Sequence, residues 1–356
     1  MKTTAAVFYE PNKPLVIEEL EIDEPKAGEV RVKMKAVGLC RSDHNVMVGT
    51  RPVGMTPMVL GHEGAGVVEA VGPGVSRIKP GDHVVLMFIP TCGRCSNCVS
   101  GRTHSCVLSA KIAAGPQPDG TYRLHNNTGQ AVGQFCLVGA FSEYAIVHEN
   151  SVCVVEPEYP FNAAVSRAKV TPGSSVLVIG VGGIGMNVVQ GARVAGAGII
   201  IAVDIFDHKL VWATTFGATH TINGEQANVV DRVLEITGGL GVDFAFEAIS
   251  HPHTIAQAYE ATARLGTVVV VGLTPAHFDS LPISPLSLVL TQKTLMGTLY
   301  GTSNALVEIP KLLRMYQQGQ LKLDELVSKT YRLDQINQGY ADMEAGRNIR
   351  GVVVFD

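Results

Sequence analysis

The sequence predicts an α/β protein of two domains: a β-rich, barrel-like domain built from both chain ends, and a doubly wound parallel sheet between them. Three observations carry this. At 356 residues the chain exceeds what one ordinary core organises. A composition of 46% hydrophobic residues with 38 glycines suits buried parallel strands joined by tight turns. Near residue 172 the rhythm of apolar runs also changes, from short strand-like pieces to strands alternating with helices.

In order, "TTAAVFYE", "PLVIEEL", "GEVRVKMKAVGLC", "GHEGAGVVEAVG" and "GDHVVLMFI" are short apolar runs punctuated by Gly and Pro, the spacing of a barrel. Beyond 172, "SSVLVIG", "GIIIAVD", "VDFAFEAI" and "GTVVVVGL" read as strands, and "GIGMNVVQGARVAGA" and "PHTIAQAYEATARLG" as helices between them. After 300 a helix, "ALVEIPKLLRMYQQGQL", leads to a last strand, "RGVVVF". The expected boundaries are 1–162 with 300–356 for the barrel-like domain and 163–299 for the doubly wound sheet.

Net charge is −4 and the lysines and arginines form no block, which argues against nucleic acid as a partner. The N-terminal stretch lacks the apolar segment of a signal peptide, and the longest apolar runs are strand-length, so neither export nor membrane insertion is expected. The expectation is a cytoplasmic protein. In a reducing compartment seven cysteines point to metal rather than to disulfides.

Cys92, Cys95, Cys98 and Cys106 follow C-x2-C-x2-C-x7-C. Four thiolates complete a tetrahedron around Zn2+ and leave no open position, so this zinc would shape a loop rather than react. An iron–sulfur cluster also suits four thiolates, but nothing else in the sequence suggests electron transfer. A reactive zinc needs three protein ligands and a free position. Candidates are Cys40 in "GLCRSDHNV" and His62, with Glu63 beside it, in "GHEGAGVVEAVG".

"SSVLVIGVGGIGMNVVQGARVAGAGIIIAVD" is a strand, a glycine loop, a helix and a second strand. Gly180, Gly182 and Gly185 form G-x-G-x-x-G, with Gly183 and Ile184 opening the helix whose N-terminus would face a pyrophosphate. Asp204 ends the second strand, where its carboxylate would accept a ribose 2′-hydroxyl and repel a 2′-phosphate. NAD is thus expected rather than NADP.

Together "GLCRSD", "GHEGAGVVEAVGPGV", "KPGDHVV", the four-cysteine lobe, "GVGGIG", "VDI" and "NIRGVVVF" make the chain resemble, over nearly its whole length, the zinc-containing alcohol dehydrogenases of the medium-chain dehydrogenase/reductase family. The resemblance implies a GroES-like catalytic domain and a Rossmann domain, with one structural and one catalytic zinc. It implies that Cys40 and His62 bind the catalytic zinc, with Asp43 as partner of the histidine and Glu63 near the metal. Ser42 matches the hydroxyl that meets the substrate oxygen. Arg41 and Arg350 match residues on the pyrophosphate, Lys209 one near the adenosine ribose, and Leu273 one on the cofactor. Phe88, Phe135, Cys136, Leu273 and Leu299 fall where the family lines its substrate channel.

The implied reaction moves hydride between NAD and an apolar alcohol, aldehyde or ketone, in a homodimer or homotetramer. Where relatives carry a relay histidine this chain has Asn45, so His44 or water would pass the proton on. Glutathione-linked substrates are disfavoured, because Ala110 and Lys111 stand where those relatives place a carboxylate-binding arginine. A zinc-free quinone reductase of the same superfamily is argued against by the cysteine lobe.

One departure stands out. The family's third catalytic cysteine lies in a "GCGV.TG.G"-like stretch before the cofactor strand, and "VVEPEYPFNAAVSRAKVTPGSSVLVIG" contains none. The spacer is shorter by about one to two dozen residues, which at ~1.5 Å per helical residue is a loss on the order of 20 Å of reach. Either a segment is missing, which predicts a chain break between Pro160 and Val165, or the deletion is genuine. The second case leaves zinc with Cys40, His62 and perhaps Glu63, or leaves an inactive dinucleotide-binding scaffold with only the structural zinc.

Overall fold

Strands Lys2–Phe8, Val16–Ile22, Leu124–His125, Ala131–Gln134 and Met58–Val59 close into a small barrel. The structure, a computed structural model, describes residues 1–156, 170–275 and 277–356. The expected break between Pro160 and Val165 lies outside the described residues. In Val16–Ile22 the period-two pattern buries Leu20 and Ile22 while Glu19 and Glu21 face out, as a half-buried strand requires.

Beside the barrel lies a seven-stranded sheet containing Val152–Val155, His83–Leu86, Gly64–Val71, Glu29–Gly38, Arg350–Val354 and Val327–Tyr331 in that order, with Tyr144–His148 also paired to Glu29–Gly38. The strand Arg350–Val354 runs antiparallel to Glu29–Gly38, setting Val352 opposite Gly38. This pairing carries Arg350 to residues met three hundred positions earlier. The barrel and this sheet make up a unit of Met1–Ala163, Ser303–Leu313 and Val327–Asp356.

In helix Ile336–Glu344 the buried Asp342 carboxylate accepts hydrogen bonds from Lys329 Nζ (2.6 Å), Tyr331 Oη (2.8 Å), Arg347 Nε (2.9 Å) and Gln338 Nε2 (3.0 Å). The bond from Lys329, backed by Tyr331, holds its carboxyl well below the usual carboxylate range. A carboxyl depressed in the folded state stabilises fully above its unfolded value near 4 and loses that contribution as pH falls further. Thermal melts from pH 7 down to pH 2 are therefore expected to give a smaller acid-induced drop for Asp342→Asn than for the wild type. At neutral pH the variant should cost about 2 kcal/mol, the loss of charge-assisted bonds to a buried acceptor.

The second unit, Ala164–Thr302 with Arg314–Leu326, holds six strands in the order His220–Asn223, Ile199–Asp204, Ser175–Ile179, Val242–Glu247, Thr262–Val270, Thr294–Gly297. Every pairing is parallel. The order reverses between Ser175–Ile179 and Val242–Glu247, the place where such sheets bind dinucleotides. Helices Gly183–Val194, Asp207–Phe216, Val229–Ile236 and Pro252–Glu260 connect the strands.

Two details differ from the sequence expectation. Helix Pro252–Glu260 stops before "TARLG", which is already strand, because Thr262 pairs with Val242 and its hydroxyl caps the Ala258 carbonyl at 2.7 Å. Residues 314–326, expected with the first domain, lie in the second unit. Gln190 explains this: its side-chain amide donates to Lys322 O (3.1 Å) and accepts from Lys322 N (2.7 Å), and Arg193 bonds Gln320 O beside it.

Candidate metal and cofactor sites

Cys40 follows strand Glu29–Gly38 in extended conformation and opens helix Arg41–Met47, while His62 and Glu63 directly precede strand Gly64–Val71. Adjacent antiparallel strands thus deliver residues distant in sequence to one spot. Donor atoms of Cys40, His62 and Glu63 lie within 4.8 Å of one another. Asp43, fully buried, accepts from Gly61 N at 2.9 Å and faces His62 Nδ1 at 3.0–3.2 Å. With Nδ1 held by Asp43, the Nε2 lone pair is left for a metal. Ser42 Oγ sits 3.6 Å from Cys40 Sγ.

Burial alone would push His62 down, yet the Asp43 and Cys40 charges hold it well above its ordinary value. Burial likewise pushes Glu63 up, but the Arg350 guanidinium, 2.7 Å from Oε2, holds it below the usual range. A buried thiol, imidazole and two carboxylates with one arginine call for a further cation, which is a proton on His62 or a metal that displaces it. The donor set fits zinc. Asp43→Asn should lower kcat/KM by about 10- to 100-fold with the ligands retained, the usual cost of losing a carboxylate behind a metal-binding histidine. Steady-state assays alongside zinc analysis check this.

The cysteine lobe is equally well formed. The four Sγ atoms lie within 4.8 Å of one another, and Cys92 Sγ to Cys98 Sγ is 3.9 Å. That is far too long for a disulfide and close to the ~3.8 Å edge of a tetrahedron with ~2.3 Å Zn–S bonds. Backbone amides of Val107 and Cys98 aimed at Cys95 draw its thiol down to about 6, favouring the thiolate a metal needs.

In the second unit each glycine of the loop has its own reason. Gly180 has φ +89°, a region that favours glycine. A Cβ on Gly185 would stand 1.9 Å from Gly180 O, so helix Gly183–Val194 can approach the strand only without one. Nothing lies within 4 Å of the corresponding point at Gly182, leaving open space at the helix start beside Gly183 and Ile184. Asp204 braces this loop by accepting from Val181 N (3.0 Å), Ile205 N (2.9 Å) and Phe206 N (3.2 Å). The Lys209 ammonium lies 4.7 Å over the Phe206 ring.

Of the expected channel residues, Phe88 and Phe135 meet His62 edge-on, with ring centroids 5.4 and 5.8 Å away. Cys136 is buried, whereas Leu273 and Leu299, in the second unit, are exposed. Arg350 is not a free surface charge, because Nη1 also donates to Leu39 O at 3.1 Å. His44 has both ring nitrogens near partners: Nε2 is 2.9 Å from Glu344 Oε1, and Nδ1 is 3.5 Å from Arg41 Nη1. Burial, then Arg41, push His44 below its ordinary value. Sequence reasoning missed Glu344 and Tyr340. The Tyr340 hydroxyl is buried near the charges of Asp43, Cys40 and Glu63 and has no acceptor among the described residues. Among those residues no second cysteine joins Cys40 in the cage.

A thiol–imidazole–carboxylate cage in a barrel-type domain, carried on one chain with a dinucleotide fold, is the construction of a metal-dependent dehydrogenase. Residues 26–157 match the alcohol dehydrogenase GroES-like domain, and residues 183–318 match the zinc-binding dehydrogenase domain. The chain is 42% identical to putative alcohol dehydrogenase D of Mycobacterium tuberculosis, covering 99% of this chain and all of that protein. It is also 42% identical to the NDMA-dependent alcohol dehydrogenase of Amycolatopsis methanolica, covering 99% of each. The crystal structure of benzyl alcohol dehydrogenase from Acinetobacter calcoaceticus superposes with a TM-score of 0.93 at 33% identity over the full length of both. The chain belongs to the zinc-dependent alcohol dehydrogenases of the medium-chain dehydrogenase/reductase family, oxidoreductases acting on CH–OH groups. The match to the mycobacterial protein spans 370 positions against 356 residues here, so that relative carries residues this chain lacks.

Proposed function

We propose that the protein oxidises apolar alcohols, benzylic ones included, and reduces the matching carbonyls with NAD, using one zinc at Cys40, His62 and Glu63 and a second, structural zinc at Cys92, Cys95, Cys98 and Cys106. The observation that carries the reading is the convergence of Cys40, His62 and Glu63 donors behind an Asp43-oriented imidazole. Two aromatic rings, Phe88 and Phe135, against that imidazole support an apolar substrate. When bound, zinc supplies Lewis acidity toward the alcohol oxygen and nicotinamide accepts the hydride. Overall, RCH2OH and NAD+ give RCHO, NADH and a proton.

The Ser42 hydroxyl accepts the hydrogen of the substrate O–H, and His44, tied to Glu344, or solvent takes the proton onward. Asp43 keeps His62 in one tautomer and Arg350 balances Glu63. Gly180–Gly185 cradle the pyrophosphate. Asp204 accepts from the ribose hydroxyls, with Lys209 near the same ribose. Leu273 contacts the cofactor, and Cys136 joins Phe88 and Phe135 in the apolar surround of the cage.

We take the protein to be cytoplasmic; no helix among the described residues is long and apolar enough to cross a membrane. The edge strand Thr294–Gly297, with Leu286, Val289 and Leu290 exposed on the helix before it, supports a homodimer or a homotetramer made of two such dimers. Zinc analysis with a substrate panel tests the function: two zincs per chain and turnover of benzyl alcohol with NAD well above NADP are expected. One zinc per chain, or silence at full metal loading, overturns it.

A further inference from the structure

Each carboxylate close to the Cys40–His62 cage already has a partner: Asp43 has His62 and Gly61 N, Glu63 has Arg350, and Glu344 has His44. The other sheltered arginines among the described residues are similarly committed. Arg123, fully buried, is bidentate to Glu29 at 2.6 and 2.7 Å and also reaches Asp119 at 2.7 Å, while Arg31 holds Glu24 and Glu69. Arg51 is the exception. It is half-buried, and its guanidinium carbon lies 5.0 Å over the ring of Phe135 with no carboxylate partner among the described residues.

The position of Arg51 gives this meaning. Phe135 also meets His62 edge-on, 5.8 Å between centroids, so a single aromatic side chain touches both Arg51 and the cage histidine. The buried Cys136 thiol is pushed up to about 12 by burial, with the His62 and Arg51 charges pulling it down and those of Asp43 and Cys40 pushing it up. A guanidinium stacked on a ring keeps its N–H edge free, and that planar fork matches a carboxylate. A half-buried guanidinium one side chain removed from the cage histidine is satisfied by an anion brought in with the substrate.

We propose that Arg51 is a specificity-determining residue that binds a carboxylate carried by the alcohol or aldehyde substrate, one ring or a short chain away from the reacting carbon. This rests on the reading that the reacting oxygen sits at the Cys40–His62 cage. An aromatic ring between the two groups fits the phenylalanine walls, making hydroxymethyl- and formyl-substituted aromatic acids the matching substrate class.

The test compares 4-(hydroxymethyl)benzoate with 4-(hydroxymethyl)benzamide, equal in shape but not in charge. For the zinc-loaded wild type, kcat/KM should favour the carboxylate, and the preference should shrink as salt rises. Arg51→Leu should lower the carboxylate-to-amide ratio by about 30-fold, and Arg51→Lys, which keeps the charge but loses the fork, should fall between. Calorimetric titration of 4-(hydroxymethyl)benzoate into the same proteins should show at least ~10-fold weaker binding to Arg51→Leu. A ratio and a Kd that are the same in wild type and both variants overturn the proposal. Silence toward both alcohols at two zincs per chain would instead sink the dehydrogenase reading, and the titration would still decide the role of Arg51.

Discussion

Cys40→Ser is expected to lower kcat/KM for benzyl alcohol at least ~10³-fold and to reduce bound zinc from two per chain to one. Serine is nearly isosteric, but its hydroxyl stays protonated where the thiolate supplied charge to a divalent ion. Lewis-acid polarisation contributes several kcal/mol of transition-state stabilisation, and ~4 kcal/mol corresponds to three decades of rate. His62 then keeps its proton, held by Asp43, and the cage settles for that instead of a metal. The lobe lies outside the affected contacts, so one zinc and an unchanged fold by circular dichroism should remain. Two retained zincs with near-normal turnover would show that Cys40 is not a ligand.

Gly185→Ala should damage both the second unit and its cofactor affinity, whereas Gly182→Ala should damage affinity alone. At 185 the new methyl would stand 1.9 Å from a main-chain carbonyl that no rotamer change can move, so the helix must back away from its strand. Such overpacking costs about 1–3 kcal/mol and displaces the helix N-terminus from the pyrophosphate, weakening NAD at least ~10-fold. At 182 the methyl meets no protein atom within 4 Å and instead fills the opening at the helix start. Thermal melts and NAD titrations on the two variants separate these outcomes. Equal affinities for both variants and the wild type would remove the loop from the cofactor site.

Both candidate metal sites were legible in the sequence because donor type and spacing are local. Four cysteines within fifteen positions need no tertiary knowledge to be grouped, and the glycine loop announces itself between a strand and a helix. The charge balance around the cage was not legible. Glu63 and Arg350 are 287 residues apart, and only the pairing of the last strand with Glu29–Gly38 joins them. Tyr340 and Glu344 were hidden for a related reason: on an amphipathic helix a tyrosine and a terminal glutamate look like core and solvent positions. The end of helix Pro252–Glu260 was misread because helical periodicity continues through residues that a parallel neighbour strand captures. Arg51 carries no motif at all, and its lack of a carboxylate partner among the described residues emerges only once their charges have been placed.

The strand that begins at Arg350 ties the finished state of the cage to the order in which the polypeptide is made. Cys40, His62 and Glu63 are synthesised well before the guanidinium that neutralises Glu63, which follows 287 residues after it. Until that strand docks, the nascent site carries an uncompensated negative charge, and a metal captured then would meet a different field from the one it occupies in the mature enzyme.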